Sequence, residues 1–225
     1  MYFNYLFVIG MVSFLFLLPG TPWKQPVLDG KIEGIVQLAH TNAGQSISLG
    51  RYGRGKAAAS GSGGQYVLIW IENEDREMEL NPEPVILDQK ELQFNPRILA
   101  VREDDQVRIL NSDPVYHNVF SLSATKRFDV GRRPQGDYLD IVFEKQGVVE
   151  VFCDIHSNMH ATIYVVSPQT YEWVTEKADE PFSFSSVPPG DYRFNVYAPG
   201  FALSTQNITV ENGKNLELGT IRLNP

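Results

Sequence analysis

The sequence predicts an all-β protein, and three observations predict it. Helical periodicity of any length is missing after the first twenty residues. Short stretches rich in Val, Ile, Phe and Tyr alternate with clusters of Gly, Pro, Asn and Asp, which is the strand-and-turn pattern. Hydrophobic residues make up 43% of the 225, enough to build a core. Many short strands with frequent turn signals favour a sandwich or barrel.

The elements follow in chain order. Residues 1–22 form a leader. Tyr5–Leu18 is continuously apolar and is followed by Pro19, Gly20, Thr21 and Pro22. That length suits the apolar region of a secretory signal better than a membrane span. Met1–Asn4 carries no Lys or Arg, and no small-x-small cleavage site precedes Trp23. The leader is therefore read as a signal peptide or an uncleaved N-terminal anchor. Either reading places the rest in the periplasm or otherwise outside the cytoplasm, with membrane contact only through this segment.

Strands are expected at 31–38, 66–72, 98–101, 106–110, 148–152, 162–166, 182–184, 192–197, 206–210 and 216–223. Between the first two lies a glycine- and serine-rich loop, residues 42–65, containing Arg51, Arg54 and Lys56. Its glycines match no phosphate-loop spacing, so it reads as a solvated hairpin extension. His40 beside it has no assigned chemistry. Glu72–Glu79 is an acidic run followed by Asn81-Pro82-Glu83-Pro84, a solvated linker. Ser167-Pro168-Gln169 marks a second boundary. A formal net charge of −8 argues against nucleic acid as a partner.

Cys153 is the single cysteine. An exported chain cannot use one thiol for an internal disulfide, and a free thiol is a liability in an oxidising compartment. His156 follows three residues on and Met159 three beyond that. Thiolate, imidazole and thioether from one short loop are a ligand set for copper. A second histidine is needed, and His117 lies upstream, after a turn and at the start of a strand. Two ligand-bearing loops on a rigid sheet would resist rearrangement when a metal changes oxidation state. His160, next to Met159, could substitute for it. The set His117, Cys153, His156 and His160 would satisfy tetrahedral zinc, the less favoured metal. Neighbouring residues on an extended segment face opposite ways, so His160 is read as a surface neighbour.

Residues 85–166 resemble a cupredoxin of the plastocyanin and amicyanin type. The resemblance rests on Gln93-Phe94-Asn95-Pro96 with 98–101, on Glu103-Asp104-Asp105-Gln106-Val107, on Asn111-Ser112-Asp113, on His117-Asn118-Val119, and on Cys153-x-x-His156-x-x-Met159. It implies a Greek-key β-sandwich with one type 1 copper. His117, Cys153 and His156 would lie in the trigonal plane, with Met159 as a weak axial ligand. Asn118 would hydrogen-bond across to the Cys153 loop and stiffen it. Electrons would enter and leave at His156. Ser157 stands where amicyanin-like loops often have proline. Arg102-Glu103-Asp104-Asp105 lacks the usual turn glycine.

A second resemblance lies in 181–194, where Pro181-Phe182-Ser183-Phe184 leads into Val187-Pro188-Pro189-Gly190-Asp191-Tyr192. It is similar to the core of carboxypeptidase-regulatory-like domains, which are small prealbumin-like sandwiches. Such a domain needs two further strands, which Gly34-Ile35-Val36 and Val67-Leu68-Ile69-Trp70 fit. Residues 27–80 and 169–225 are therefore expected to fold together, with 85–166 inserted between them. A two-strand N-terminal piece alone would be too small to fold.

These readings imply an exported blue copper protein that carries single electrons to and from a protein redox partner and performs no bond chemistry itself. Methylamine-utilisation-type proteins of this architecture are similar. The alternatives are a Cu(I) binding and delivery protein without a redox role, a related metal site that uses His160, and a β-sandwich binding module with a vestigial metal site.

Overall fold

Backbone that alternates its side chains between two faces gives sheets, and here it gives nothing else among the described residues. The computed structural model describes residues 26–39, 65–75 and 81–225. The leader, His40, the glycine/serine stretch to Gly64 and the second half of the acidic run (76–79) lie outside them. No helix among the described residues is long and apolar enough to cross a membrane.

Four sheets form. The first has the order β13-β1-β16, with β1 (Gly30–Leu38) between β13 (Pro181–Val187) and β16 (Asn215–Leu223). β1 pairs antiparallel with β13 and parallel with β16. The second has the order β12-β2-β14-β15: β12 (Thr170–Lys177), β2 (Tyr66–Glu72), β14 (Gly190–Tyr197) and β15 (Ser204–Val210), all antiparallel. Strands from the two ends of the chain thus share both sheets. Ile32, Val36, Val67, Ile69, Ile71, Phe182, Phe184, Phe194 and Val196 fill the space between them.

The middle of the chain supplies the other two. One is β4-β3-β6-β9, from β3 (Val85–Lys90), β4 (Gln93–Asn95), β6 (Gln106–Asn111) and β9 (Tyr138–Val142). The other is β5-β11-β10-β7-β8, from β5 (Ile98–Arg102), β7 (His117–Leu122), β8 (Arg127–Arg133), β10 (Gly147–Cys153) and β11 (His160–Val166). Two of the pairs, β3–β6 and β5–β11, are parallel, so the sandwich is not a simple meander. Its core includes Leu87, Phe94, Val101, Val119, Phe143, Val149, Val151 and Ile163, and it runs up to Cys153 and Met159.

Three strands are apolar on both faces, and each has a reason. In β2, Val67, Ile69 and Ile71 face the outer sandwich core, while Leu68 and Trp70 face the other way. In β5, Leu99 and Val101 face the middle core, whereas Ile98 and Ala100 point out to meet Leu68 and Trp70. β11 does the same with Val166 and Tyr164. A strand covered on both sides loses its polar alternation. The Trp70 and Tyr164 rings pack tilted with centroids 5.0 Å apart, and the Tyr164 and Tyr197 rings likewise at 4.7 Å. Arg102 lies over the Trp173 ring at 4.9 Å and donates from Nε to the Thr170 carbonyl.

The strands expected from sequence are present, most of them a residue or two longer. β3, β4, β8, β9 and β12 were not expected. β8 carries Arg127, Arg132 and Arg133 and β12 carries Glu172 and Glu176, and both are sheet edges where charge is tolerated.

Candidate metal centre

Two segments converge at one end of the middle sandwich. The first is the loop that leads into β7. Asn111, fully buried, organises it. Its Nδ2 donates to the carbonyls of Val115 (2.8 Å) and Arg133 (2.9 Å), and its Oδ1 accepts the Asp113 N–H (2.9 Å). This turn delivers His117 as the first residue of β7 with no solvent exposure. The second is the β10–β11 connection. Cys153 ends β10 at 4% exposure. The Asp154 N–H donates to the Asn118 carbonyl (2.9 Å), tying this loop to β7. The Met159 N–H donates to the His156 carbonyl (3.0 Å), which closes a turn that folds His156 back over Cys153.

The result is a triangle of donor atoms. Cys153 Sγ lies 3.5 Å from His117 Nδ1 and 3.7 Å from His156 Nδ1, and the two Nδ1 atoms are 3.0 Å apart. The point equidistant from these three atoms lies about 2.0 Å from each, close to the zinc–imidazole (about 2.0–2.1 Å) and zinc–thiolate (about 2.3 Å) bond lengths. Two imidazole nitrogens facing each other at that distance need a shared proton or a cation between them. The donor set fits a first-row transition metal. Among the described residues, no other cluster of His, Cys, Asp and Glu of this kind forms.

Burial pushes the His117 imidazole below its ordinary pKa, more than the Asp113 hydrogen bond raises it, and the nearby His156 adds to the lowering. The ring is thus neutral at pH 7, as ligation requires. Asp113 Oδ2 sits 2.9 Å from His117 Nε2. Burial works to raise the Asp113 carboxyl, but hydrogen bonds from the Leu92 N–H, His117 and the Glu91 N–H outweigh it and hold it below the usual range. In the sequence Asp113 stands within Asn111-Ser112-Asp113 with no assigned role. The available signal was a carboxylate four residues before the histidine.

The other expected residues fall as follows. Met159 is 1% exposed and belongs to the same apolar cluster as Cys153. Asn118 links to the Cys153 loop, but through its main-chain carbonyl. Its side-chain Oδ1 is buried without a hydrogen-bond partner, so the side-chain bridge expected from sequence is not made. His160 lies outside the triangle. It pairs with Glu150 (2.6 Å) and stacks on Phe152 at 4.9 Å, on the outer face of β10–β11. Phe152 and Cys153 point to opposite sides of the strand, and His160 sits opposite Phe152.

Around the mouth, Val115, Tyr116 and Ile155 are exposed apolar side chains within two residues of His117 or His156.

Comparison with known proteins adds the following. A family model described as polysaccharide lyase family 4, domain II, matches residues 155–218. That description differs from the prealbumin-like type expected from the C-terminal motif. No curated protein sequence matches the chain. Among solved structures, a copper-containing nitrite reductase from Thermus scotoductus SA-01 is similar at 23% identity and a TM-score of 0.37, over 39% of this chain and 23% of that one. The matched stretch is thus well under two thirds of that enzyme. A Cu(I) form of an amicyanin mutant is similar at 16% identity and a TM-score of 0.36, over 39% of this chain and 87% of amicyanin. A second amicyanin mutant, reduced, is similar at 18% identity with the same TM-score and coverage.

Proposed function

We propose that this protein is an exported type 1 copper protein that carries single electrons between protein partners. One observation carries the reading: the two Nδ1 atoms and the Cys153 thiol converge on a single point at bonding distance. His117, Cys153 and His156 would hold the metal, and the buried Met159 thioether would supply a further soft donor. Thiolate and thioether are soft donors, which favours copper over zinc. Bound copper supplies a one-electron couple. The chain's own contribution is to exclude water and to fix the donors from two sheet-anchored segments, so that neither oxidation state moves them far. His156, half-buried at the mouth beside exposed Val115, Tyr116 and Ile155, would be the edge at which an electron passes to a docked protein. Residues 85–166 would form the copper-bearing unit. The sheets built from 30–72 and 170–223 would serve docking or assembly, outside the cytoplasm, without bond chemistry of their own.

The test is to add Cu(II) to the purified protein and record visible and electron paramagnetic resonance spectra. An intense thiolate-to-copper charge-transfer band is expected, and it is lost in Cys153→Ser. A colourless protein that takes up only Cu(I) would instead assign storage or delivery.

A further inference from the structure

The turn between β3 and β4 is an unusual one for its residues. Glu91 and Leu92 both have φ 56°, the left-handed region, in a two-residue hairpin loop where Asn-Gly is the common choice. The purpose of that conformation lies across the loop. The Glu91 N–H donates to Asp113 Oδ1 (2.6 Å) and the Leu92 N–H to Asp113 Oδ2 (2.9 Å). Two successive main-chain donors thus grip one carboxylate, which is 5% exposed. The Asp113 N–H is fixed in turn by Asn111 Oδ1. Among the described residues no Lys or Arg pairs with Asp113; its side-chain partner is His117 Nε2. A buried negative charge without a neutralising cation is therefore aimed at the back of a metal-ligand imidazole.

We propose that Asp113 is the positioning and tuning residue of this centre, and that the left-handed Glu91–Leu92 turn exists to hold it. Accepting from Nε2–H fixes the His117 tautomer and leaves the Nδ1 lone pair on the cluster. The carboxylate also draws the Nε2 proton towards itself, which makes Nδ1 a stronger donor. A fixed negative charge in a buried site stabilises the more highly charged metal state, so Asp113 lowers the reduction potential. This rests on the copper reading above; the tautomer assignment does not.

The experiment has two arms. In the first, the potentials of wild type, Asp113→Asn, and the double variant Glu91→Asn with Leu92→Gly are measured by redox titration on the visible band. Asp113→Asn keeps an acceptor for the turn and removes the charge, and its potential is expected to rise. The double variant keeps both N–H donors in an easier turn, and its potential is expected to match wild type. Equal potentials in Asp113→Asn and wild type overturn the tuning role. In the second arm, long-range proton–nitrogen correlation spectra of the metal-free wild type report the His117 tautomer. The Nε2–H form, with a slowly exchanging proton, is expected. The Nδ1–H form overturns the proposal whether or not the protein is blue. This arm also decides the matter if Asp113→Asn fails to fold. If wild type binds copper without the charge-transfer band, the electron-carrier reading fails while the tautomer result still judges Asp113.

Discussion

The approach of His156 to Cys153 was legible in the sequence because one short loop delivers both, and spacing within a loop is a one-dimensional property. His117 was legible from its place after a turn and before a strand. Asp113 was not, because its partners arrive from elsewhere: Glu91 and Leu92 come from the β3–β4 hairpin, a contact that only the fold creates. His160 shows the limit from the other side. Adjacent to Met159 in the chain, it is turned by strand alternation onto Glu150 and Phe152. The residue scale also carries a pH prediction for the metal-free protein. The Asp113 pKa is lowered in the folded state, so its contribution to stability is complete above its unfolded value of about 3.9 and is lost as pH falls through the folded value. His117, also lowered, binds its proton more readily when unfolded, so stability begins to fall earlier, as pH drops below about 6.5. Acid titration of the metal-free protein, followed by circular dichroism, should show both stages. Asp113→Asn should shrink the more acidic one without abolishing it, since Asp140 and Glu144 are also held below the usual range.

At the scale of the element, the strands read best were those with strong β-branched and aromatic content, and four of the five strands missed, β4, β8, β9 and β12, are sheet edges. β8 and β12 need only one apolar face, so their sequences resemble solvated linkers until a neighbouring strand fixes their register. The inverse holds for β2, β5 and β11, whose unbroken apolar runs carried no facing information. Only the packing shows which side of Val67-Leu68-Ile69-Trp70 meets which neighbour. Glycine placement makes the register testable. A Cβ on Gly30, at the start of β1, would fall 2.4 Å from the Lys214 carbonyl oxygen and 2.8 Å from Val210 Cγ1. Backbone cannot yield there without shifting the parallel β1–β16 pairing. Gly30→Ala should therefore destabilise the protein by about 1–3 kcal/mol, the usual cost of overpacking, read as a lowered midpoint in urea. If the protein takes up copper as proposed, its visible spectrum should be unchanged by Gly30→Ala, because the clash is in a different sandwich from the His117, Cys153 and His156 cluster.

At the scale of the molecule, the two ends of the chain share sheets, and the middle segment leaves between β2 and β12 and returns. The sequence suggested this arrangement through a C-terminal motif short of two strands. It did not indicate how the pieces press together, since Leu68, Trp70, Trp173 and Tyr197 look like ordinary core residues in one dimension. They instead cover Ile98, Ala100, Tyr164 and Val166. A fragment of residues 81–167 made alone would expose that apolar patch. It should self-associate in sedimentation experiments at concentrations where the full chain does not. Replacing Trp70 with Ala in the full chain should cost about 3–5 kcal/mol, as for other buried large-to-small aromatic changes. The buried seam has one more effect. With a broad flank of residues 81–167 sealed by its own chain, a partner of the kind proposed above would find fewer ways to land, and the rim beside His156, with exposed Val115, Tyr116 and Ile155, would be the berth left to it.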